Sequence, residues 1–174
     1  MDDKVILFSE VFGDTENVAK SLFSCRGVIT LTEYIEGRLA AMASLIRING
    51  KNSKGFYVYG VCVAKDFRGR GYFRKIMDAV ESYANTEGAD FLCLIPANDA
   101  LQYTYHRMGY VEKIKPFEYS TMGNLFITSE DFKMFATPDT PSPSNNGLSG
   151  LAKIIKNDFK FESEPIFADF MGDI

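Results

Sequence analysis

The sequence contains no tryptophan and a single histidine, His106, so a histidine-rich metal site is excluded. Its three cysteines, Cys25, Cys62 and Cys93, are odd in number and lack CxxC spacing, which argues against a disulfide framework or a zinc knuckle and for reduced thiols. No stretch approaches the roughly 20 apolar residues of a membrane span. The first residues, MDDKVILF, carry acids where a secretory signal needs positive charge. A soluble cytoplasmic protein is expected. Positive charge is also short: net charge is −4 and the isoelectric point about 5.1. That balance disfavours nucleic acid as a partner and weakly favours a cationic small molecule or peptide amine.

The 174 residues suffice for one domain with a substantial core, and 46% apolar with 24% charged residues is ordinary for a globular protein. Residues 4–12 and 15–23 show helical apolar spacing, with Asp14 or Thr15 as the N-cap of the second piece. From Val28 the pattern becomes β-rich, in two runs around Glu36-Gly37 that read as a hairpin. A strand over Phe56–Val63 follows, then a helix over Tyr72–Glu87 that stops at Gly88. Phe91–Ile95 is a continuous apolar run, as in a strand covered on both faces. After Pro96, Asn98 or Asp99 caps a helix that ends at Gly109, and 110–115 with 118–127 read as a closing hairpin bent at Pro116.

This order predicts an α/β (α+β) fold. Its sheet is mixed and largely antiparallel, flanked by helices, with one parallel β-α-β crossover. Residues 1–128 form the domain. Residues 129–174 are a C-terminal extension: a short helix over 129–135, a Pro- and Ser-rich linker over 137–147, and a helical pattern over 148–161. That last helix is expected to pack on its own domain or on a second subunit, which leaves a homodimer open.

The most informative stretch is VCVAKDFRGRGYF, residues 61–73, where a strand passes through a glycine-containing loop into a helix. Gly69 and Gly71 permit backbone conformations closed to other residues, and the first N–H groups of the helix point at one spot. Such a spot suits a phosphate or pyrophosphate. No GK[ST] follows, and the full GxGxxG pattern is missing.

Two motifs in order resemble the GNAT superfamily of acetyl-CoA-dependent N-acetyltransferases. VCVAKDFRGRG is similar to the family's V-x-V-x-P-x-[YF]-R-[GN]-x-G loop. Arg68 and Gly71 fall on the family pattern, and Phe73 stands where Gly or Ala is usual. NDALQYTYHRMGY is similar to N-x-x-A-x-x-x-Y-x-x-x-G-[FY]; Asn98, Tyr105, Gly109 and Tyr110 match, and Leu101 replaces the usual Ala. The likeness spans about residues 28–127, behind an N-terminus short of the family's opening strand. It implies acetyl-CoA as co-substrate, with no metal, and transfer of acetyl to a primary amine in a ternary complex. Main-chain atoms of Val61 and Val63 would meet the pantetheine arm, with a splay or bulge at Gly60 freeing them. Amides of Arg68, Gly69, Arg70, Gly71, Tyr72 and Phe73 would surround the pyrophosphate, with Asn98 nearby. A backbone N–H near Val63 would polarise the thioester carbonyl, and Tyr105 would be the general acid. No carboxylate base stands on the central strand. Glu33, Tyr57 and Tyr59 are candidates for the acceptor side. The alternatives are a protein N-terminal acetyltransferase and a non-catalytic acyl-CoA-binding module.

Overall fold

The computed structural model describes residues 2–49, 52–114, 125–127, 150–160 and 166–169. Two helices come first, α1 (Asp3–Phe12) and α2 (Glu16–Ser24). Each is capped by a side-chain oxygen: Asp2 accepts from the Lys4 N–H at 3.0 Å, and Thr15 accepts from the Val18 N–H at 3.4 Å. The hairpin expected around Glu36-Gly37 is present as β1 (Val28–Ile35) and β2 (Arg38–Asn49), both turn residues having positive φ. Next come β3 (Lys54–Val63), a 3₁₀ turn over Lys65–Phe67, α3 (Tyr72–Thr86), β4 (Phe91–Leu94) and α4 (Asp99–Arg107). The later strands are β5 (Glu112–Ile114), β6 (Leu125–Ile127), β7 (Gly150–Ile154) and β8 (Ile166–Asp169).

Among the described residues the strands form one eight-stranded sheet in the order β5-β7-β4-β3-β2-β8-β6, with β1 also paired to β2. β1 lies along the first part of β2, and β8 continues the same edge at Arg47–Asn49. The crossover β3-α3-β4 makes a parallel pair, as expected, and β6 with β8 makes another. β2 is buried on both faces and separates two cores. One core packs α1 and α2 against Met42, Ile46, Tyr57 and Cys62; the other packs α3 and α4 against Leu45, Val58 and Leu92.

Two expectations are corrected. The helix expected over 148–161 is instead strand β7, inserted in the sheet between β4 and β5 with Leu151 and Ala152 fully buried. A strand covered on both faces needs no apolar alternation, so its short run of apolar residues carries no signal against a helix. The closing hairpin is also not formed: β5 pairs with β7, while β6 lies beside β8 at the far side of the sheet. The expected helix at 129–135, the linker at 137–147 and the domain boundary at 128 lie outside the described residues.

The feature that shapes the site is a bulge in β3. Ser44 of β2 faces Tyr59 and Met42 faces Cys62, so Gly60 and Val61 stand opposite Ala43 alone. Gly60 has φ +61°, and a Cβ there would lie 2.9 Å from Cε2 of Phe8. Both constraints demand glycine. Replacing Gly60 by Ala should therefore destabilise the fold by about 1–3 kcal/mol, read as a lowered denaturant midpoint. An unchanged midpoint would mean that the bulge relaxes without cost.

Candidate functional site

β3 and β4 are paired only from Gly55 to Tyr57 and from Phe91 to Cys93. Beyond Tyr57 the two strands part, and among the described residues the flank of β3 that faced β4 has no ladder partner from Val58 to Val63. Unpaired strand edges accept an extended ligand as an added strand. The bulge then sets which side chains point where. Past it, Val61 and Val63 turn to the α3 and α4 face and Cys62 turns to the α1 and α2 face.

The loop after β3 folds back on it. The Arg68 Nε–H donates to the Val63 carbonyl at 3.0 Å, and Arg38 bridges to Asp66 at 2.7 Å while its guanidinium lies over the Phe67 ring. Arg68, Gly69, Arg70 and Gly71 are all exposed. Gly69 and Gly71 have φ of +72° and +85°, and Gly71 is the N-cap of α3 with no side chain capping the helix. Successive amides and the positive helix end thus face outward beside two arginines, a cradle for a phosphate-like anion. Tyr72 packs edge-on against Phe67, their centroids 5.6 Å apart.

Tyr105 reaches the gap between β3 and β4 from α4. It is 5% exposed, with Phe73 and Tyr110 each at 5.7 Å between ring centroids. Phe73, where the family pattern has a small residue, thus helps to hold the Tyr105 ring. Among the described residues no hydrogen-bond partner occupies the Tyr105 hydroxyl. Burial, and then the neighbouring Cys62, push its pKa up to about 12. Burial likewise raises the Cys62 thiol to about 12, and its Sγ–H donates to the Gly60 carbonyl at 3.3 Å.

On the opposite face, Tyr57 and Tyr59 lie side by side, centroids 5.9 Å apart, with Phe8 6.2 Å from Tyr59. Burial raises both phenols; Tyr59 reaches about 12, with the Asp14 carboxylate contributing after burial. Glu33 is not with them. It lies on the α3 face of β1 and is ion-paired to Lys75 of α3. Asn98 is the N-cap of α4, accepting from the Leu101 N–H at 2.9 Å, so its side chain is already engaged. His106 is half-buried, with a buried Nε2 that meets no partner among the described residues.

The structure thus places Val61, Val63 and Tyr105 on the α3 and α4 face and Tyr57, Tyr59 and Cys62 on the α1 and α2 face of the same stretch of β3, with the loop of Arg68–Gly71 following that strand. Among the described residues no group of three His, Cys, Asp or Glu is placed to hold a metal, and no helix is long and apolar enough to cross a membrane.

Residues 1–112 match the model of a family described as an acetyltransferase (GNAT) domain. No curated protein matches the sequence. Among solved structures, the chain is similar to an acetyltransferase of the GNAT family from Staphylococcus aureus Mu50, at TM-score 0.56 and 16% identity over 89% of this chain and 92% of that one. It is also similar to an aminoglycoside acetyltransferase from an uncultured soil metagenomic sample, at TM-score 0.53 and 16% identity over 68% and 86%. A GCN5-related N-acetyltransferase from Kribbella flavida shares 22% identity at TM-score 0.52 over 64% of this chain and 31% of that one. At such identities the likeness is one of fold.

Proposed function

Because this chain belongs to the GNAT acetyltransferase family, we propose that it moves an acetyl group from acetyl-CoA directly to a primary amine while both are bound. The observation that carries this reading is the unpaired flank of β3, followed by an anion cradle and accompanied by the buried Tyr105 phenol, whose hydroxyl has no partner among the described residues. The unpaired flank of Val58–Val63 has main-chain groups for the pantetheine amides, and the amides of Arg68–Phe73 suit the pyrophosphate.

The amine nitrogen bonds to the acetyl carbon, the carbon–sulfur bond breaks, and the departing sulfur takes its proton from the Tyr105 hydroxyl; the proton shed by the acylated nitrogen passes to solvent, from which the Tyr105 phenolate is reprotonated. A main-chain N–H near Val63 donates to the oxygen that becomes negative at the tetrahedral stage. The amine arrives from the Tyr57 and Tyr59 side as the free base. Glu33 is held by Lys75 on the other face and takes no part in this scheme.

The test is release of free thiol from acetyl-CoA across a panel of small amines and peptide N-termini, compared with binding of coenzyme A by calorimetry. Amine-dependent thiol release supports the reading. Tight binding with no release to any amine points to a binding module instead.

A further inference from the structure

α4 carries Tyr105 but has little else to hold it in place. Tyr105 is the one residue that the helix buries, while Leu101 and, just past its end, Met108 are only partly buried against the same core. Gly109 closes the helix with φ +92°, and the chain then turns so that the Tyr110 N–H donates to the Tyr105 carbonyl at 3.1 Å. The Tyr110 ring, itself buried, meets the Tyr105 ring edge-on. What fixes Gly109 and Tyr110 therefore fixes the phenol.

Lys153 of β7 stands at that end of α4. A Cβ on Gly109 would lie 3.3 Å from its Cε and 3.6 Å from its Nζ, so the lysine stem lies against the turn. Its ammonium is thereby close to the C-terminal end of the helix, where unpaired carbonyls concentrate negative charge. The same Nζ donates to the Glu81 carboxylate of α3 at 2.7 Å, with the lysine side chain 21% and the glutamate 38% exposed. Lys153 is opposite Leu92 in the β4–β7 ladder, so its backbone is held inside the sheet. α3 also supplies Phe73, the other ring against Tyr105. One ammonium thus joins α3, which carries Phe73, to the end of α4, which carries Tyr105, and it does so from a strand beyond the matched residues 1–112.

We infer that Lys153, through its ion pair with Glu81, is a positioning residue that holds Tyr105 in place to donate its proton. This rests on the acetyl-transfer reading, in which Tyr105 protonates the departing sulfur. Lys153 itself touches no bond that breaks. A fully exposed ion pair would contribute little. This one starts from a strand inside the sheet and has its lysine mostly withdrawn from water, so less conformational freedom is lost in forming it. A donor misplaced by about 1 Å can cost about 10²-fold in rate. The cofactor, in the same reading, is carried by the flank of β3 and the loop after it, which this ion pair does not join. The loss should therefore fall on kcat and spare coenzyme A affinity.

The experiment compares the full chain with Lys153→Met, which keeps the stem and removes the charge, with Lys153→Arg, which keeps the charge, and with Glu81→Gln. Steady-state kinetics and coenzyme A calorimetry are joined by fluorine NMR of protein made with 3-fluorotyrosine, the Tyr105 signal being the one absent from Tyr105→Phe. Lys153→Met should lower kcat about tenfold, hold coenzyme A affinity within about twofold, and shift or broaden the Tyr105 signal. Lys153→Arg should bring kcat back to within about threefold of the parent and return the signal to its place. Glu81→Gln should move kcat and the signal in the same direction as Lys153→Met, and it carries the test if Lys153→Met does not fold. An unmoved Tyr105 signal, a kcat within about twofold of the parent, or a loss shared equally with coenzyme A affinity overturns the positioning role and leaves the transferase reading intact. A signal that moves in Lys153→Met and returns in Lys153→Arg, in a parent that releases thiol to no amine, supports the positioning and removes the transferase reading.

Discussion

Tyr105→Phe should lower kcat by about 10²-fold and leave acetyl-CoA affinity within a few-fold of the parent. The substitution keeps the ring between Phe73 and Tyr110 and removes one hydroxyl with no protein partner among the described residues. Its cost to folding is therefore small. In water a phenol of pKa about 10 gives its proton uphill to a thiolate of about 8.5. The gap changes this comparison. Cys62, a thiol buried beside Tyr105, is itself raised to about 12, matching the phenol. A sulfur leaving in the same surroundings has its basicity raised in the same direction. General acid catalysis contributes about 10²–10⁴-fold, and thiolates leave readily, which places the loss at the lower end. With the phenol protonated up to about pH 12, the parent should show no loss of this acid in its kcat profile up to about pH 10. Steady-state kinetics with calorimetry separates the outcomes. A large fall in melting temperature with kcat per folded molecule intact would make Tyr105 a packing residue only.

Gly71→Glu should weaken coenzyme A binding by at least about 10²-fold. Two effects combine. Position 71 has φ +85°, a conformation that costs a residue with a Cβ about 1 kcal/mol or more. The new carboxylate also stands at the N-terminus of α3, where the ligand's own negative charge is expected. Two like charges 4 Å apart repel by about 4 kcal/mol at an effective dielectric of 20. Gly71→Ala is the control: among the described residues nothing beyond its chain neighbours lies within 4 Å of its Cβ, so it meets the same backbone cost without the charge. Calorimetry should place Gly71→Ala within about tenfold of the parent and Gly71→Glu far below both. Equal binding by Gly71→Glu and the parent would move the pyrophosphate elsewhere.

Most of what positions this site is carried by local signals. Gly60 in an apolar strand marks the bulge, because a glycine there offers nothing to pack. Gly69 and Gly71 announce the positive φ values found, and Gly88 and Gly109 lie just past α3 and α4 with the same sign. Of the caps the sequence offers, Asp14 or Thr15 and Asn98 or Asp99, the structure uses Thr15 and Asn98. What sequence reading misses is non-local. Nothing around Glu112–Ile114 says that its partner is Gly150–Ile154 rather than the next strand along. Glu33 gives no sign that Lys75, on another element, will claim it.

The place of β7 between β4 and β5 sets the order in which the molecule is finished during synthesis. β4 and β5 leave the ribosome early, yet each must wait for residues 150–154 before the strand between them exists. At about 5–20 residues per second this leaves roughly several seconds in which the outer edge of β4 is open. Phe91–Leu94 is wholly apolar and lies on that edge, the kind of surface on which nascent chains associate wrongly. A chaperone that shields short apolar edges would therefore matter most late in translation, and stalling before residue 150 should yield aggregate rather than a partly active domain.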